Sequence, residues 1–449
     1  MRGEDVLKAQ GVRMLAYWRL ADSEAGHARA LLDLLDLLPG ARVVDLGCGT
    51  GRLAELCAAE RPDLAWTLVN VDEWQLEQAS QWGTPVPRDM TDTGLPDESF
   101  DAVVVAYAMG YCNPVKVVRE ASRLLRPGGK LVLHELYSED AQVQQLGVDA
   151  LKFRVHAARD IGLLAELGGF DLVHACTDTF QAPGDAVAEA APIFHQFDHF
   201  LSVHRKVRPS MFARRAALHF SGGKDSLACL HLLRPWVEAG LPVYWACTGD
   251  TIPETLAVVE AARAWIPDFR EVHADVLKWK EAHGLPSDVV TAQSTWMGQL
   301  YGMTGTKLTG RFDCCHANLM LPMHERMLAD GIEVVIRGTK LADTGKVPAV
   351  GPTDHYDVLL PLLDWSHEQV FDFLRGRGIP ISAVYDSFKA ISAPECLHCT
   401  AWWDDGKGAY LKQLHPDKVD QYRAGLETIR AELRRRVLEL DMEIKEVSL

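Results

Sequence analysis

The sequence predicts two doubly wound α/β domains in tandem. Three observations carry this. Two segments, ARVVDLGCGTGRLAELCAA at 41–59 and AALHFSGGKDSLACLHLL at 216–233, each run from an apolar strand through a glycine-rich turn into a helix. That is the opening unit of an open parallel sheet, whose ligand lies at the carboxyl ends of the strands. After each opening, short β-branched runs alternate with stretches of helical spacing. The 449 residues, 48% hydrophobic and 24% charged, are enough to give each half its own core.

In the first half TLVNVD (67–72), FDAVVVAYA (100–108) and KLVLHELY (130–137) read as strands. VVREASRLLRPGG (117–129) reads as a helix stopped by Pro127-Gly128-Gly129. GGFDLVHACTDTF (168–180) and FDHFLSVHRKV (197–207) read as a closing antiparallel pair. The basic stretch RKVRPSMFARR (205–215) contains Pro209 and marks the boundary, giving domains 1–207 and 216–449 joined by a linker, 208–215. In the second half LPVYWACTG (241–249), FREVHAD (269–275) and IEVVIRGTK (332–340) read as strands. LLPLLDWSHEQVFDFLRGRGIP (359–380) reads as a strand followed by a helix, and the last stretch is helical by period, with Arg434, Arg435 and Arg436 on a solvated face. No repeat or low-complexity tract interrupts this order.

The net charge is −16, which disfavours a global grip on nucleic acid but leaves room for a local basic patch. No apolar run reaches the roughly 18 residues of a membrane span, and MRGEDVLKAQGVRM lacks a signal-peptide core, so a cytoplasmic protein is expected. Six of the ten cysteines stand singly in apolar segments and read as small buried hydrophobes. Cys314-Cys315 and Cys396-x-x-Cys399 are paired, which in a reducing compartment points to metal or redox chemistry.

In VVDLGCGTGRL, Asp45 ends a strand and Gly47, Gly49 and Gly51 follow at two-residue spacing. Glycine lets a backbone turn tightly and approach a ligand. Asp72 lies 21 residues after Gly51, where an acid can bind a ribose; the spacing alone also fits a dinucleotide fold. Together with NVDEWQLEQA (70–79), PRDMTDTGLPDESFDAVV (87–104) and REASRLLRPGGKLVLHE (119–135), these residues resemble the class I S-adenosylmethionine-dependent methyltransferases of small molecules, over roughly 30–207. The resemblance implies a Rossmann-like fold that binds S-adenosylmethionine. By it, Asp45, Gly47, Gly49 and Gly51 line the methionine end, Asp72 takes the ribose hydroxyls and Asp89 the adenine amino group. VAYAMGYCNP (105–114) stands where an exocyclic-amine DNA methyltransferase would carry Asn-Pro-Pro-Tyr. His134 and Glu135 read as ordinary strand-end polar residues, with acceptor orientation as the alternative.

In HFSGGKDSLACL, Gly222 and Gly223 expose backbone N–H groups at a helix start, and Ser221, Lys224 and Ser226 add donors. That is a polyphosphate cradle, although not a GxxxxGKS loop. SGGKDS resembles the PP-loop of the ATP pyrophosphatases, which cleave between the α and β phosphates and adenylate a substrate. The resemblance implies an adenine nucleotide alpha hydrolase-like fold, ATP with Mg²⁺, and an Asp225 that holds the metal or orients the loop. ACTGDTIPET (246–255), VVIRGTK (334–340) and PLLDWSHEQVFDFLRGRGIPISAVYD (361–386) resemble the phosphoadenosine phosphosulfate reductase family, over about 215–400. By that resemblance Arg337 and Gly338 belong to its nucleotide loop.

The two cysteine pairs are 80 residues apart. Four thiolates from two loops suit a four-iron, four-sulfur cluster or tetrahedral zinc; unrelated buried or redox cysteines are the third alternative. Adjacent cysteines strain a single tetrahedral ion more than a cluster, and the spacing resembles the cluster motif of the adenylylsulfate reductases. Two departures separate the chain from those reductases: no cysteine follows Cys399 before LELDMEIKEVSL, and SGGKDS is intact. The expectation is a bifunctional enzyme: methyl transfer, plus adenylation and sulfur insertion. Its partners are a small-molecule or nucleotide substrate and a sulfur-donor protein or sulfide. The alternatives are a sulfonucleotide reductase using an external thiol, a nucleic-acid thiolation or methylation component, and a non-catalytic scaffold.

Overall fold

The computed structural model describes residues 23–179, 197–344, 351–352, 355–387, 395–403 and 405–448. The reading of the first fourteen residues lies outside them. The chain divides into two compact units, Met1–Arg214 and Arg215–Leu449.

The first unit has strands β1 (Arg42–Leu46), β2 (Ala65–Asn70), β3 (Thr84–Pro87), β4 (Phe100–Ala106), β5 (Leu125–Tyr137), β6 (Phe170–Thr179) and β7 (Asp198–Lys206). They form one sheet in the order β3-β2-β1-β4-β5-β7-β6. The first five run parallel, and β7 lies antiparallel between β5 and β6. Every residue from Phe100 to Val105 is buried, as a parallel strand covered on both faces requires. The chain order reverses between β1 and β4, so the crevice at their carboxyl ends is the place for a ligand.

Two sequence expectations change here. The helix Pro114–Leu124 stops before Pro127, because Leu125 already pairs with Phe100 and opens β5. Pro127-Gly128-Gly129 instead fills a register shift in that ladder, with Gly128 at φ 81°. The basic stretch 208–214 is not a separate linker, since it belongs to the first unit. The Val207 and Arg208 N–H groups donate to the Gly169 carbonyl, Arg208 pairs with Asp171, and Phe212 is buried.

The second unit has β8 (Ala216–Phe220), β9 (Val243–Cys247), β10 (Phe269–His273), β11 (Leu285–Ser287), β12 (Leu308–Gly310), β13 (Val334–Ile336), β14 (Gly351–Pro352) and β15 (Asp357–Leu359). Its main sheet has the order β10-β9-β8-β13-β15-β14, parallel but for β14, and reverses between β8 and β13. β11 and β12 form a separate parallel pair. The run LLPLLDW is a strand only as far as Leu359. Beyond it the chain turns, with Leu363 N–H on the Leu360 carbonyl, and Ser366 and Gln369 then form a capping box for the helix His367–Gly376. Among the described residues no helix is long and apolar enough to cross a membrane.

Candidate functional site

The first glycine loop follows β1 at the switch point. The Gly47 and Cys48 N–H groups both donate to the Val69 carbonyl, at 2.9 and 3.1 Å, which ties the loop to β2. Gly47 and Gly51 are packing positions: a Cβ would stand 2.5 Å from Ala108 Cβ at the first and 2.9 Å from Ala79 Cβ at the second. Both have φ near +80°, open to glycine at no steric cost. A Cβ at Gly49 would meet nothing within 4 Å, so here the backbone borders open space. Asp45 is 3% exposed, and burial pushes its carboxyl up to about 7. Asp72 does not end β2. It caps the helix Glu73–Ala79, accepting from Gln75 N–H at 2.9 Å. Asp89 is exposed in the turn after β3 and accepts from the Thr91 N–H and hydroxyl. The predicted acids thus lie at or just beyond the carboxyl ends of three adjacent strands, Asp45 within β1, Asp72 after β2 and Asp89 after β3.

Tyr107 follows β4 in the left-handed region, at φ 52°. Its hydroxyl lies 2.9 Å from His134 Nε2 and 2.5 Å from His199 Nδ1. Burial holds the His134 ring well below its usual range, and so does His199. Glu135 accepts from Ala108 and Met109 N–H with one oxygen; the other has no partner among the described residues. Burial pushes its carboxyl up to about 8. These strand-end residues therefore organise the 107–109 segment that packs on Gly47.

Residues 44–133, which hold this loop and these acids, match the family model described as a methyltransferase domain. The N-terminal unit carries a class I methyltransferase domain. The chain is 31% identical over 112 residues to the malonyl-[acyl-carrier protein] O-methyltransferase of Alcanivorax borkumensis, covering 23% of this chain and 38% of that protein. It is 32% identical over 125 residues to the 27-O-demethylrifamycin SV methyltransferase of Amycolatopsis mediterranei, covering 26% and 43%. It spans less than half the length of these two relatives. Among solved structures, geranyl diphosphate C-methyltransferase from Streptomyces coelicolor aligns with a TM-score of 0.38 at 16% identity, over 41% of this chain and 76% of that one. The family match ends within the methyltransferase domain.

The second loop follows β8, again at a switch point. Gly222 has φ 77°, and a Cβ there would press on Thr255 and Val259. The Ser226 hydroxyl accepts from Ser221 N–H and donates to the Gly223 carbonyl. The Lys224 N–H donates to the Tyr385 hydroxyl at 3.0 Å. Lys224 is buried at the first position of the helix Lys224–Leu232, where a cation opposes the helix dipole, and burial pulls its ammonium down. Its Nζ lies 2.7 Å from one oxygen of Asp225, while Lys340 Nζ lies 2.5 Å from the other. A metal at Asp225 therefore competes with two lysines. Asp225, Asp343 and His367 each bring one ligand atom into a group within 4.8 Å. Gly338 sets the close approach of the IRGTK loop: a Cβ would stand 2.6 Å from the Asp225 carbonyl oxygen. Arg337 donates to Tyr356, and its buried Nε has no partner among the described residues.

All four paired cysteines line one cavity of about 210 Å³. The short pair β11–β12 explains how. β12 runs into the helix Arg311–Cys315, which carries Cys314 and Cys315. The Thr400 hydroxyl donates to the Pro286 carbonyl of β11, fixing the chain just past Cys399. The other side is anchored to the loop after β9, through Ile252 N–H on the Glu395 carbonyl and Leu397 N–H on the Asp250 carbonyl. Lys280 lines the same cavity and pairs with Asp250, which also binds His398. Burial pushes the Cys314, Cys315 and Cys396 thiols up to about 12, and Cys399 upward as well.

Sequence reading missed Lys340, Tyr385, Lys280 and Lys407, and in the methyltransferase domain Tyr107 and His199. Lys340 stood inside the quoted run VVIRGTK, but nothing in its neighbours marks it as buried.

Proposed function

We propose that the chain is a bifunctional enzyme. Its first unit transfers methyl groups from S-adenosylmethionine, and its second spends ATP to adenylate a substrate and replace the activated oxygen with sulfur. The observation that carries this is the repeated placement of a glycine loop at a sheet's switch point, with its acids and lysines around it.

S-adenosylmethionine supplies an electrophilic methyl group. Asp45, Gly47, Gly49 and Gly51 would hold its methionine end, Asp72 its ribose and Asp89 its adenine. On the acceptor side, His134 is kept neutral by burial and, with His199, holds the Tyr107 hydroxyl in place, where it can orient an acceptor. One relative's name describes O-methyl transfer to malonyl-[acyl-carrier protein] and the other's methylation of 27-O-demethylrifamycin SV; the second supports a small-molecule acceptor here.

In the second unit a substrate oxygen attacks the α phosphorus of ATP and pyrophosphate leaves. Sulfide then displaces AMP and leaves the thiolated product; a donor protein's persulfide would displace AMP to give a mixed disulfide, which a second thiol must reduce to free the product. Lys224 and Lys340 neutralise charge on the departing pyrophosphate, and the orphaned Arg337 Nε is free to meet the nucleotide. Cys314, Cys315, Cys396 and Cys399 fit an iron–sulfur cluster, which supplies a redox-active sulfur-handling centre. The reductase is the competing reading. Supplying ATP and adenylylsulfate in parallel, and following AMP, pyrophosphate and sulfite, separates them. Pyrophosphate and AMP from ATP support the proposal. Sulfite release from adenylylsulfate with added thiol, and no ATP cleavage, sinks it.

A further inference from the structure

Lys407 is fully buried, and nothing in the chemistry above uses it. It is the first residue of the helix Lys407–Leu414, following Gly406 at φ 95°. A cation there faces the positive end of the helix dipole. Its ammonium donates to the Cys396 carbonyl at 3.0 Å and lies 5.4 Å from the centre of the Tyr410 ring. Among the described residues no carboxylate pairs with it. Asp250, whose field reaches Lys407, is already engaged by Lys280 and His398. The other cations on the cysteine cavity are balanced, Lys280 by Asp250 and Arg311 by Asp288 and Asp405.

A buried, unpaired ammonium at a helix N-terminus is strongly disfavoured unless an anion faces it. What the fold brings to Lys407 is the cysteine loop itself, since its ammonium donates to the Cys396 carbonyl and Cys396 and Cys399 line the cavity beside it. Neutral thiols offer no compensation. Four thiolates around a cluster or a zinc ion outnumber the metal's formal positive charge and leave the centre negative. We infer that Lys407 is the built-in counter-charge of an anionic metal centre held by Cys314, Cys315, Cys396 and Cys399. The inference rests on the metal reading of the cysteines given above. Lys407 touches no ligand sulfur and acts through charge, as a positioning residue for the centre's electrostatics.

The test uses the full chain, purified without oxygen, as wild type, Lys407→Met and Lys407→Arg. Iron and zinc are counted per chain. The centre is titrated with dithionite under redox mediators, one electron at a time, and melting is followed with metal bound and after chelation. If the wild type holds iron, Lys407→Met should lower the equilibrium constant for one-electron reduction at least about tenfold, about 59 mV, because the electron enters a less positive environment. Lys407→Arg should stay near wild type. After chelation Lys407→Met should melt above the wild type, since an uncompensated charge has gone; a lysine that merely packs would give the opposite sign. An unchanged potential in Lys407→Met, or a lower melting point without metal, overturns the inference. If the wild type holds zinc, the cluster reading fails, and the inference stands or falls on whether zinc raises the melting point less in Lys407→Met. A wild type that holds no metal overturns both.

Discussion

Lys340 Nζ stands 2.5 Å from Asp225 Oδ1, although the two residues are 115 apart in the chain. The same ammonium lies 2.7 Å from Asp343. The contact joins the loop after β13 to the helix that opens at the SGGKDS turn, across the point where the second sheet reverses. It also makes Lys224 and Lys340 a matched pair on one carboxylate. We expect Lys340→Met to lower pyrophosphate release by about 100-fold or more, the scale for losing a charged donor aimed at developing charge. Methyl transfer should be unchanged. Parallel assays of the two activities check this.

Asp45 predicts a pH dependence for cofactor binding. Burial holds its proton up to about 7 in the empty site. In the proposed function Asp45 holds the cationic methionine end of S-adenosylmethionine, which favours the ionised carboxylate, so binding below pH 7 must release that proton. Affinity should therefore rise from pH 5 to about 7 and then level off. Calorimetry in buffers of different ionisation enthalpy would register the released proton, and Asp45→Asn should abolish both effects.

Asp72 has two duties that separate by substitution. It caps a helix and, in the proposed function, binds a ribose. Asp72→Asn keeps a capping oxygen and should cost little stability, whereas Asp72→Ala should lose about 1 kcal/mol of cap. Both should weaken cofactor binding, Asp72→Ala by roughly 1.5–3 kcal/mol. Equal affinity in wild type and Asp72→Ala would remove the ribose assignment.

Glu135 should make the first unit less stable as pH rises. Its native carboxyl keeps a proton to about 8, against an ordinary value of 4.5 in the unfolded chain. Between those values the native state binds more protons, so stability falls with increasing pH. Each unit of that shift corresponds to about 1.4 kcal/mol. Glu135→Gln can still accept from Ala108 and Met109, and it should flatten the slope. Denaturant midpoints at pH 5 and pH 8 measure it.

Local pattern made both glycine loops and their flanking strands legible, because a strand, a tight turn and a helix start are all written within about twenty residues. The cysteine pairs were legible as pairs, while their meeting in one cavity depends on β11–β12, two three-residue strands too short to leave a periodic trace. The lysines were not legible, because burial of Lys340 or Lys407 is decided by what lies across the fold, not beside it in sequence. The Tyr107–His134–His199 contact likewise needs the register of β5 on β7, which pairs Leu136 with His199. The misplaced end of the helix Pro114–Leu124 has a similar origin. Pro127-Gly128-Gly129 looks like a stop signal, but long-range pairing of Leu125 with Phe100 acts first.

The 80 residues between the two cysteine pairs include β13, β15 and Lys340, and so much of the site proposed for ATP. A metal gripping both pairs would close that detour into a ring. For a ring of this size, chain entropy taken from the unfolded state is worth roughly 4.5 kcal/mol. Each tenfold fall in free metal, as long as it stays well above the dissociation constant, would then return about 1.4 kcal/mol to unfolding. The second unit, with the ATP chemistry proposed for it, would act as a gauge of its metal supply, losing its fold and that chemistry when the supply runs short.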